Sequence, residues 1–256
     1  MITYNLERYD FPYVQAIQSL CDVCDKVVVL DCGSTDGTLE VLRDGPESSN
    51  ANLEILTGGN GEIRDDRTRL PMLSNQALSH LDTDWHLAIQ ADEVLHESAY
   101  ETVRELVQRN EKEGYTLRRL NLWGGMDLCF RPDYQNPPCG DKVMRLAKRK
   151  YPYFGDAESL AVGTPTFDFM DRMNIFHYSY VRKPDIALDK AIWMLGWFWG
   201  NGETDPRLVE QKERLGVFNA YEFHGRDALM PIPLDHPASM KQWADERRPL
   251  LEGMTA

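Results

Sequence analysis

Short apolar runs alternate with amphipathic segments over the first half of the chain. Residues 26–30 (KVVVL) form a continuous apolar run that is typical of a parallel strand covered on both faces, and the run ends at Asp31. Two further short apolar runs, over 53–56 and 85–89, also predict strands. Apolar spacing and capping residues predict helices over 11–20, 35–43, 70–81 and 98–113. This alternation predicts an α/β fold.

The pattern changes after Gly114. Residues 115–122, 143–147 and 174–181 are predicted to be strands. The Pro- and Gly-rich stretch 131–141 (RPDYQNPPCGD) predicts a long loop, of the kind that often forms a lid or a binding loop. From Asp185 onward helices dominate. We therefore expect a mixed sheet flanked by helices over 1–182, with halves at 1–113 and 114–182, and a helical C-terminal extension, 183–256, packed on the same domain.

The composition limits the classes of partner. A formal charge of -13 over 256 residues argues against a nucleic-acid or anionic-membrane surface, because both need a clustered cationic footprint. The compact basic run 145–150 (RLAKRK) is interpreted as a solvated strand edge. Five cysteines without dense spacing favour reduced thiols, and the pair Cys21 and Cys24 lacks the second pair that zinc would need. With no charged-then-apolar leader, we expect a cytoplasmic protein with no transmembrane segment.

The first candidate site is residues 27–38 (VVVLDCGSTDGT). An apolar strand ends in Asp31, and a Gly-Ser-Thr-Asp-Gly turn then leads into a helix. This arrangement places one acceptor and several small donors around a helix N-terminus, which suits a nucleotide. The structural alternative is an ordinary strand-to-helix turn in which Ser34 and Asp36 cap the helix.

The second candidate site is residues 90–93 (QADE), which follow the apolar run 85–89. Successive side chains of an extended backbone point in opposite directions, so one of Asp92 and Glu93 can face a cleft while the other orients a neighbour. Mg²⁺ and Mn²⁺ prefer oxygen ligands and often take the remainder from substrate phosphates, so one or two carboxylates suffice. The structural alternative is an acidic N-terminus of the following helix.

Both sites together, in this order and about sixty residues apart, make the chain resemble the family 2 glycosyltransferases of the GT-A fold. The resemblance covers roughly residues 5–181. It extends to VMRLAKR (143–149) and to IFHYSYVRKP (175–184), which is similar to a segment of one bacterial and phage subgroup, as is LDHPASM (234–240). The resemblance implies a GT-A type, nucleotide-sugar-binding mixed sheet. It also implies that 1–113 is the nucleotide-binding half and 114–182 the acceptor-side half.

The resemblance also implies roles for individual residues. The nucleotide-binding candidates are Asn5, Glu7, Asp31, Gly33, Ser34, Asp36, Arg67, Arg69, Asn75, Gln90 and Ala91. Asp92 and His177 are the candidate ligands of Mn²⁺ or Mg²⁺, and Arg67, Arg69 and Arg182 are candidate phosphate contacts. Gln90 and Cys32 stand where the family often has carboxylates. We therefore expect Asp92 to coordinate largely together with the diphosphate, and to bind metal weakly without a nucleotide.

Direct displacement at a sugar also needs a base for the acceptor hydroxyl. Asp156 and Glu158 follow the long loop and are the candidates, with Asp156 favoured and Asp141 as a further alternative. The aromatic run 191–200 (AIWMLGWFWG) is too short to span a bilayer. It suits a helix packed between the sheet and the tail, or an aromatic platform for a sugar ring.

The resemblance to family 2 glycosyltransferases implies a metal-dependent, inverting glycosyltransferase that uses a UDP-, GDP- or dTDP-sugar. The acceptor is a hydroxyl of a glycan, a lipid-linked molecule or a protein, and nucleic acid is not a partner. One alternative is a non-catalytic nucleotide-sugar-binding protein on the same scaffold, suggested by Gln90 and Cys32. The other is a sugar nucleotidyltransferase, which would want a Gly-rich triphosphate loop beside the first strand, and residues 2–10 offer none.

Overall fold

A computed structural model of the chain describes residues 1–45, 52–58, 69–134, 140–154, 159–160, 167–193 and 205–252. Strands and helices alternate over the first half, and parallel and antiparallel strands combine, which confirms the predicted mixed α/β class. The strands are β1 Ile2–Thr3, β2 Lys26–Asp31, β3 Asn52–Thr57, β4 Trp85–Leu87, β5 Glu93–Leu95, β6 Gly114–Asn121, β7 Leu128–Phe130, β8 Lys142–Lys148, β9 Tyr153–Phe154, β10 Ser159–Leu160, β11 Phe167–His177 and β12 Leu229–Pro231. The helices are α1 Tyr13–Cys21, α2 Thr38–Asp44, α3 Arg69–Ser79, α4 Tyr100–Arg109, α5 Pro184–Trp193, α6 Pro206–Arg214 and α7 Lys241–Glu252.

The first sheet is parallel, with β2 between β1 and β3. Asp31 is opposite Thr3 on one side and Thr57 on the other, so the three strands end at the same edge. β2 is buried along nearly its whole length, as its continuous apolar run requires. This packing places Asp31 at the carboxyl edge of a sheet, where open α/β sheets bind ligands.

The second sheet has the strand order β4-β8-β6-β11-β5. The pair β6 and β11 is parallel, and the other pairs are antiparallel. The register of β11 against β6 shifts between Met170 and Asn174, which is a bulge before the strand reaches His177. His177 lies opposite Glu93 on β5, so the end of β11 and the start of β5 meet at one place.

The apolar run 85–89 does not form one strand that leads directly into QADE. β4 is confined to Trp85–Leu87 at one edge of the second sheet, and Glu93 begins β5 at the opposite edge. Ala88 still donates its N–H to the Arg145 carbonyl at 2.7 Å, after which the chain crosses the end of the sheet. The predicted strand is therefore wrong in its extent. At the opposite edge, Glu93 pairs with His177 of β11, and its carboxylate binds Arg119 and Arg145.

The segment after residue 182 packs on the two sheets. β12 pairs antiparallel with β7, and Trp243 of α7 is buried in the same hydrophobic core as α1 and β2. Arg247 of α7 binds the carboxylate of Asp10, and Arg248 binds Asp127 at 2.7 Å. The described part of the chain contains no helix that is both long enough and apolar enough to cross a membrane.

Candidate functional site

Asp31 organises the loop that follows β2. Its buried carboxylate accepts hydrogen bonds from the Gly33 and Ser34 N–H groups at 3.1 and 3.0 Å, and from the Ser34 hydroxyl at 2.6 Å. The Thr3 hydroxyl adds a fourth bond at 3.1 Å. Gly33 adopts a φ of 91°, a left-handed conformation that favours glycine. The loop is therefore shaped by the carboxylate at its base before any ligand arrives.

The N-terminal segment 5–11 is attached to this loop. Asn5 has a φ of 50°, donates its N–H to the Ser34 hydroxyl at 2.9 Å and accepts from the Thr35 N–H at 2.8 Å. Asp36 accepts from the Arg8 N–H at 2.7 Å and from the N–H and hydroxyl of Thr38, the first residue of α2, at 3.1 and 2.6 Å; the N-cap position itself is Gly37. The structure thus brings together six of the predicted nucleotide residues, namely Asn5, Glu7, Asp31, Gly33, Ser34 and Asp36.

Glu93 is part of the framework rather than of the cleft. Its carboxylate is fully buried and pairs with Arg145 at 2.7 Å and with Arg119 at 3.1 Å. It also accepts the Gln90 N–H at 3.1 Å, which fixes the QADE turn. Burial alone would raise the pKa of this carboxyl, but Arg145 and Arg119 outweigh burial and lower the pKa to about 2.

Asp92, the neighbour of Glu93, faces the other way, toward α5 and the end of β11. One carboxylate oxygen lies 3.3 Å from the Lys190 ammonium, and the other lies 3.6 Å from His177 Nε2. All three side chains are buried. Burial by itself would raise the pKa of the Asp92 carboxyl, but Lys190 and His177 hold it well below its usual range.

The orientation of His177 is set by Asn121. The Asn121 amide donates to the Gly140 carbonyl at 3.2 Å, so its oxygen faces His177 Nδ1 at 2.8 Å and accepts that N–H. If the imidazole is charged, Nε2 carries a proton and faces the Asp92 carboxylate as an N–H. If the imidazole is neutral, Nε2 has a lone pair that can bind a cation shared with Asp92. A separation of 3.6 Å suits two ligands of one ion, because bonds of roughly 2.1 Å place such ligands about 3–4 Å apart.

Asp92 and His177 could therefore both ligate one divalent cation, and Asn121 is the kind of outer partner that such histidines usually have. The remaining ligands would have to come from elsewhere. In the described part of the chain, no cluster of three or more His, Cys, Asp or Glu side chains could hold a metal ion. Two protein ligands are what the sequence predicts for an ion that shares its coordination with a diphosphate.

Lys190 and Arg182 form a cationic cluster beside Asp92. Both cations lie over the ring of Phe11, at 4.8 and 4.3 Å from its centroid. The Lys190 ammonium also donates to the carbonyl and the hydroxyl of Ser179, at 2.7 and 2.9 Å. Arg182 donates to the Tyr9 and Tyr178 carbonyls, whereas its Nε is buried with no hydrogen-bond partner among the described residues. Burial lowers the pKa of Arg182 to about 10, against the opposing effect of Asp92 and Asp10.

The other predicted residues have different surroundings. Asn75 uses both ends of its amide on the backbone of Tyr153, at 2.7 and 3.1 Å, and so holds β9 against α3. Arg69 begins α3 and lies close enough to Cys32 to lower the pKa of its thiol, although burial dominates and raises that pKa to about 11. Ala91 is buried and Gln90 is half-buried in the turn before Glu93. Arg67, Asp156 and Glu158 lie outside the described residues, as do residues 194–200 of the aromatic run.

Lys190 is the residue of this site that sequence reasoning missed. Its partner Asp92 is 98 positions away, so no local pattern connects the two. A usable signal was present within α5, where Ala187 and Ala191 are buried and Lys190 shares their face through the i, i+3 and i+4 spacing. A lysine inside an apolar stripe predicts a buried carboxylate or anion, because an unpaired buried charge is costly.

The sequence matches no protein-family model and no curated protein. Among solved structures, the chain is similar to the crystal structure of S. aureus TarS 1–349, with 12% identity and a TM-score of 0.48 over 99% of this chain and 81% of that one. The crystal structure of S. aureus TarS 1–349 in complex with UDP-GlcNAc has 14% identity and a TM-score of 0.48, over 88% of this chain and 72% of that one. The crystal structure of HddC from Yersinia pseudotuberculosis has 10% identity and a TM-score of 0.39, over 64% of this chain and 78% of that one. With TM-scores below 0.5, these similarities carry no inference about ligand or activity.

Proposed function

We propose that this protein is a glycosyltransferase of the GT-A type that uses a UDP-, GDP- or dTDP-sugar as its donor. The observation that carries the proposal is the double contact of the segment 5–11. Asn5 is bonded to the loop after Asp31, whereas Phe11 lies against Lys190 and Arg182. A hydrogen-bonding loop at one end and a cationic cluster at the other suit a ligand with a nucleoside followed by a diphosphate.

The loop after Asp31 is the proposed nucleoside site. Its backbone is already ordered by the Gly33 and Ser34 N–H groups, which bind the Asp31 carboxylate, and by the Ser34 hydroxyl, so little loop entropy would be lost on binding. Carboxylate and hydroxyl oxygens can accept from the N–H groups of a base or the hydroxyls of a ribose. Arg69, at the start of α3, is proposed to approach the phosphates, and Arg67 is proposed as a second phosphate contact.

The diphosphate is proposed to lie at Asp92. Mn²⁺ or Mg²⁺ would be held by Asp92 and His177, and when bound it would supply Lewis-acid stabilisation of the negative charge on the leaving nucleoside diphosphate. Asn121 orients the His177 ring, and Lys190 restrains the Asp92 carboxylate. These contacts hold the Asp92 and His177 side chains in place, and a bound ion or nucleotide need not break them.

The transfer itself is proposed to be a direct displacement with inversion at the anomeric carbon. A carboxylate takes the proton of the acceptor hydroxyl, whose oxygen forms the new bond to that carbon. The bond from the carbon to the diphosphate breaks, and its electron pair leaves with the diphosphate. Asp156 is the first candidate for the base, followed by Glu158 and Asp141. Replacing the base should abolish transfer and leave nucleotide binding intact, and loss of both would refute that assignment.

Thermal-shift measurements with UDP-, GDP- and dTDP-sugars, with and without Mn²⁺, test the donor class. Release of nucleoside diphosphate, to an acceptor or to water, then tests for turnover. Asp92→Asn should weaken binding and release, and Asp189→Asn, an exposed carboxylate on α5, is the matched control. Stabilisation without release by any donor would favour the non-catalytic alternative. Absence of stabilisation by all donors would overturn the proposal.

A further inference from the structure

The ammonium of Lys190 occupies a position beside Asp92 that is built into the fold. Lys190 is only 4% exposed, and it reaches Asp92 from a different element, α5, at 3.3 Å. Two oxygens of Ser179 hold the ammonium on another side, and Phe11 lies beneath it. A buried lysine with this many contacts has a defined position, unlike a surface lysine.

The charges in this region do not balance among the described residues. Three cationic side chains, Lys190, Arg182 and Arg247, share two carboxylates, Asp92 and Asp10. Arg247 binds Asp10 through both of its carboxylate oxygens and Lys190 pairs with Asp92, whereas the hydrogen bonds of Arg182 go to the Tyr9 and Tyr178 carbonyls. Arg182 Nε adds a buried donor without a partner among the described residues. A bound anion would restore the balance and would use that donor.

A divalent cation at Asp92 would add two further positive charges next to Lys190. Like charges in a buried site repel strongly, because the low effective dielectric screens them poorly. Lys190 should therefore weaken the binding of an ion in the absence of a nucleotide, and an incoming diphosphate should relieve the repulsion. The three N–H groups of this ammonium already bind Asp92 and Ser179, so without any metal it would act on the diphosphate through its positive charge.

We infer that Lys190 is a resident cation of the donor site, which supplies part of the positive charge for the diphosphate and makes the divalent ion an aid to binding rather than a requirement. The inference rests on the proposed function, since it assigns the cluster to the diphosphate of a nucleotide sugar. It differs from a purely structural role for Lys190 in one respect. A structural lysine would leave the balance between metal-dependent and metal-free binding unchanged.

The test is a pair of binding measurements on three variants. UDP, GDP and dTDP are titrated calorimetrically in Mn²⁺ and in EDTA, and Mn²⁺ alone is titrated by electron paramagnetic resonance. In the wild type, EDTA should weaken the best nucleotide by less than about tenfold. Lys190→Met keeps the aliphatic stem and removes the charge. It should weaken binding in EDTA by at least about tenfold, and it should tighten Mn²⁺ binding without nucleotide by a similar factor.

Lys190→Arg retains the charge and should behave like the wild type in both titrations. Lys241→Met, at an exposed position of α7, is the matched control. Circular dichroism shows whether Lys190→Met folds. If it does not, the inference is tested by nucleotide binding to the wild type in Mn²⁺ and in EDTA, together with the Lys190→Arg variant. Nucleotide binding by the wild type that vanishes in EDTA would overturn the inference. So would equal Mn²⁺ affinity in the wild type and Lys190→Met. Failure of all three nucleotides to bind the wild type under either condition would instead overturn the proposed function.

Discussion

Glu93→Gln removes the charge at the centre of a buried ion triad and should destabilise the fold measurably. The folded-state pKa of Glu93 is about 2, compared with an ordinary value of 4.5. At 1.36 kcal/mol for each pKa unit, this difference corresponds to about 3 kcal/mol of stability at neutral pH. The cost of removing one partner from a buried pair falls in the same range, roughly 3–5 kcal/mol. We expect Glu93→Gln to lose about 3 kcal/mol, because Arg145 and Arg119 remain buried without their carboxylate.

The sign of the pH dependence follows from the lowered pKa. The unfolded chain takes up the proton first as the pH falls, so the stabilisation is complete above about pH 4.5 and is lost between 4.5 and 2. Urea unfolding of the wild type and Glu93→Gln at pH 7, 5 and 3.5 measures this. The difference in unfolding free energy between the wild type and Glu93→Gln should stay constant from pH 7 to 5 and should be smaller by about 1 kcal/mol at pH 3.5.

Glu101→Gln, an exposed carboxylate in the first turn of α4, is the control and should change stability by less than about 0.5 kcal/mol. A gap between the wild type and Glu93→Gln that is under 1 kcal/mol at pH 7 would refute the triad as a source of stability. A gap of full size that does not change down to pH 3.5 would refute its electrostatic origin.

Three further predictions concern other buried polar groups. His86 is buried without a hydrogen-bond partner among the described residues, and burial lowers its pKa to about 4. The unfolding free energy of the wild type should therefore fall by about 3 kcal/mol between pH 6.5 and 4. Urea unfolding of His86→Leu should not show this fall. Asp31→Asn replaces a fourfold acceptor by a group that also donates, and it should lower the affinity for the best nucleotide by at least about tenfold in calorimetry; unchanged affinity would contradict the nucleoside site. Asn121→Leu removes the acceptor that orients His177 and should weaken Mn²⁺ binding in the presence of nucleotide by about 10–100-fold, with no change expected if His177 is not a ligand.

Local patterns in the sequence were enough to predict β2, β3 and the helix α3. The run 26–30 ends at Asp31 as expected, and β3 and α3 differ from their predicted bounds by one or two residues. The reason is that these elements are specified by their own burial pattern. Asp31 also finds its partners within three residues and in the neighbouring strand, so its surroundings follow from the local turn.

Long-range contacts decided the second candidate site, and local patterns could not reveal them. Glu93 is fixed by arginines 26 and 52 positions away, which divides the run 85–89 from β5. Asp92 and Glu93 do face different partners, as expected, but Asp92 lies in a turn before β5, so the alternation of an extended backbone is not the reason. The identity of those partners depends on the packing of α5 against the end of β11, which periodicity does not encode.

The contact of α7 with Asp10 links this C-terminal helix to the proposed donor site. Asp10 lies between Tyr9, which binds Arg182, and Phe11, which lies under Lys190, and Arg247 of α7 clamps its carboxylate. A ligand that steadies this segment should also suppress opening of α7. Amide hydrogen exchange in 241–252 should then slow on nucleotide binding, although the helix need never touch the ligand.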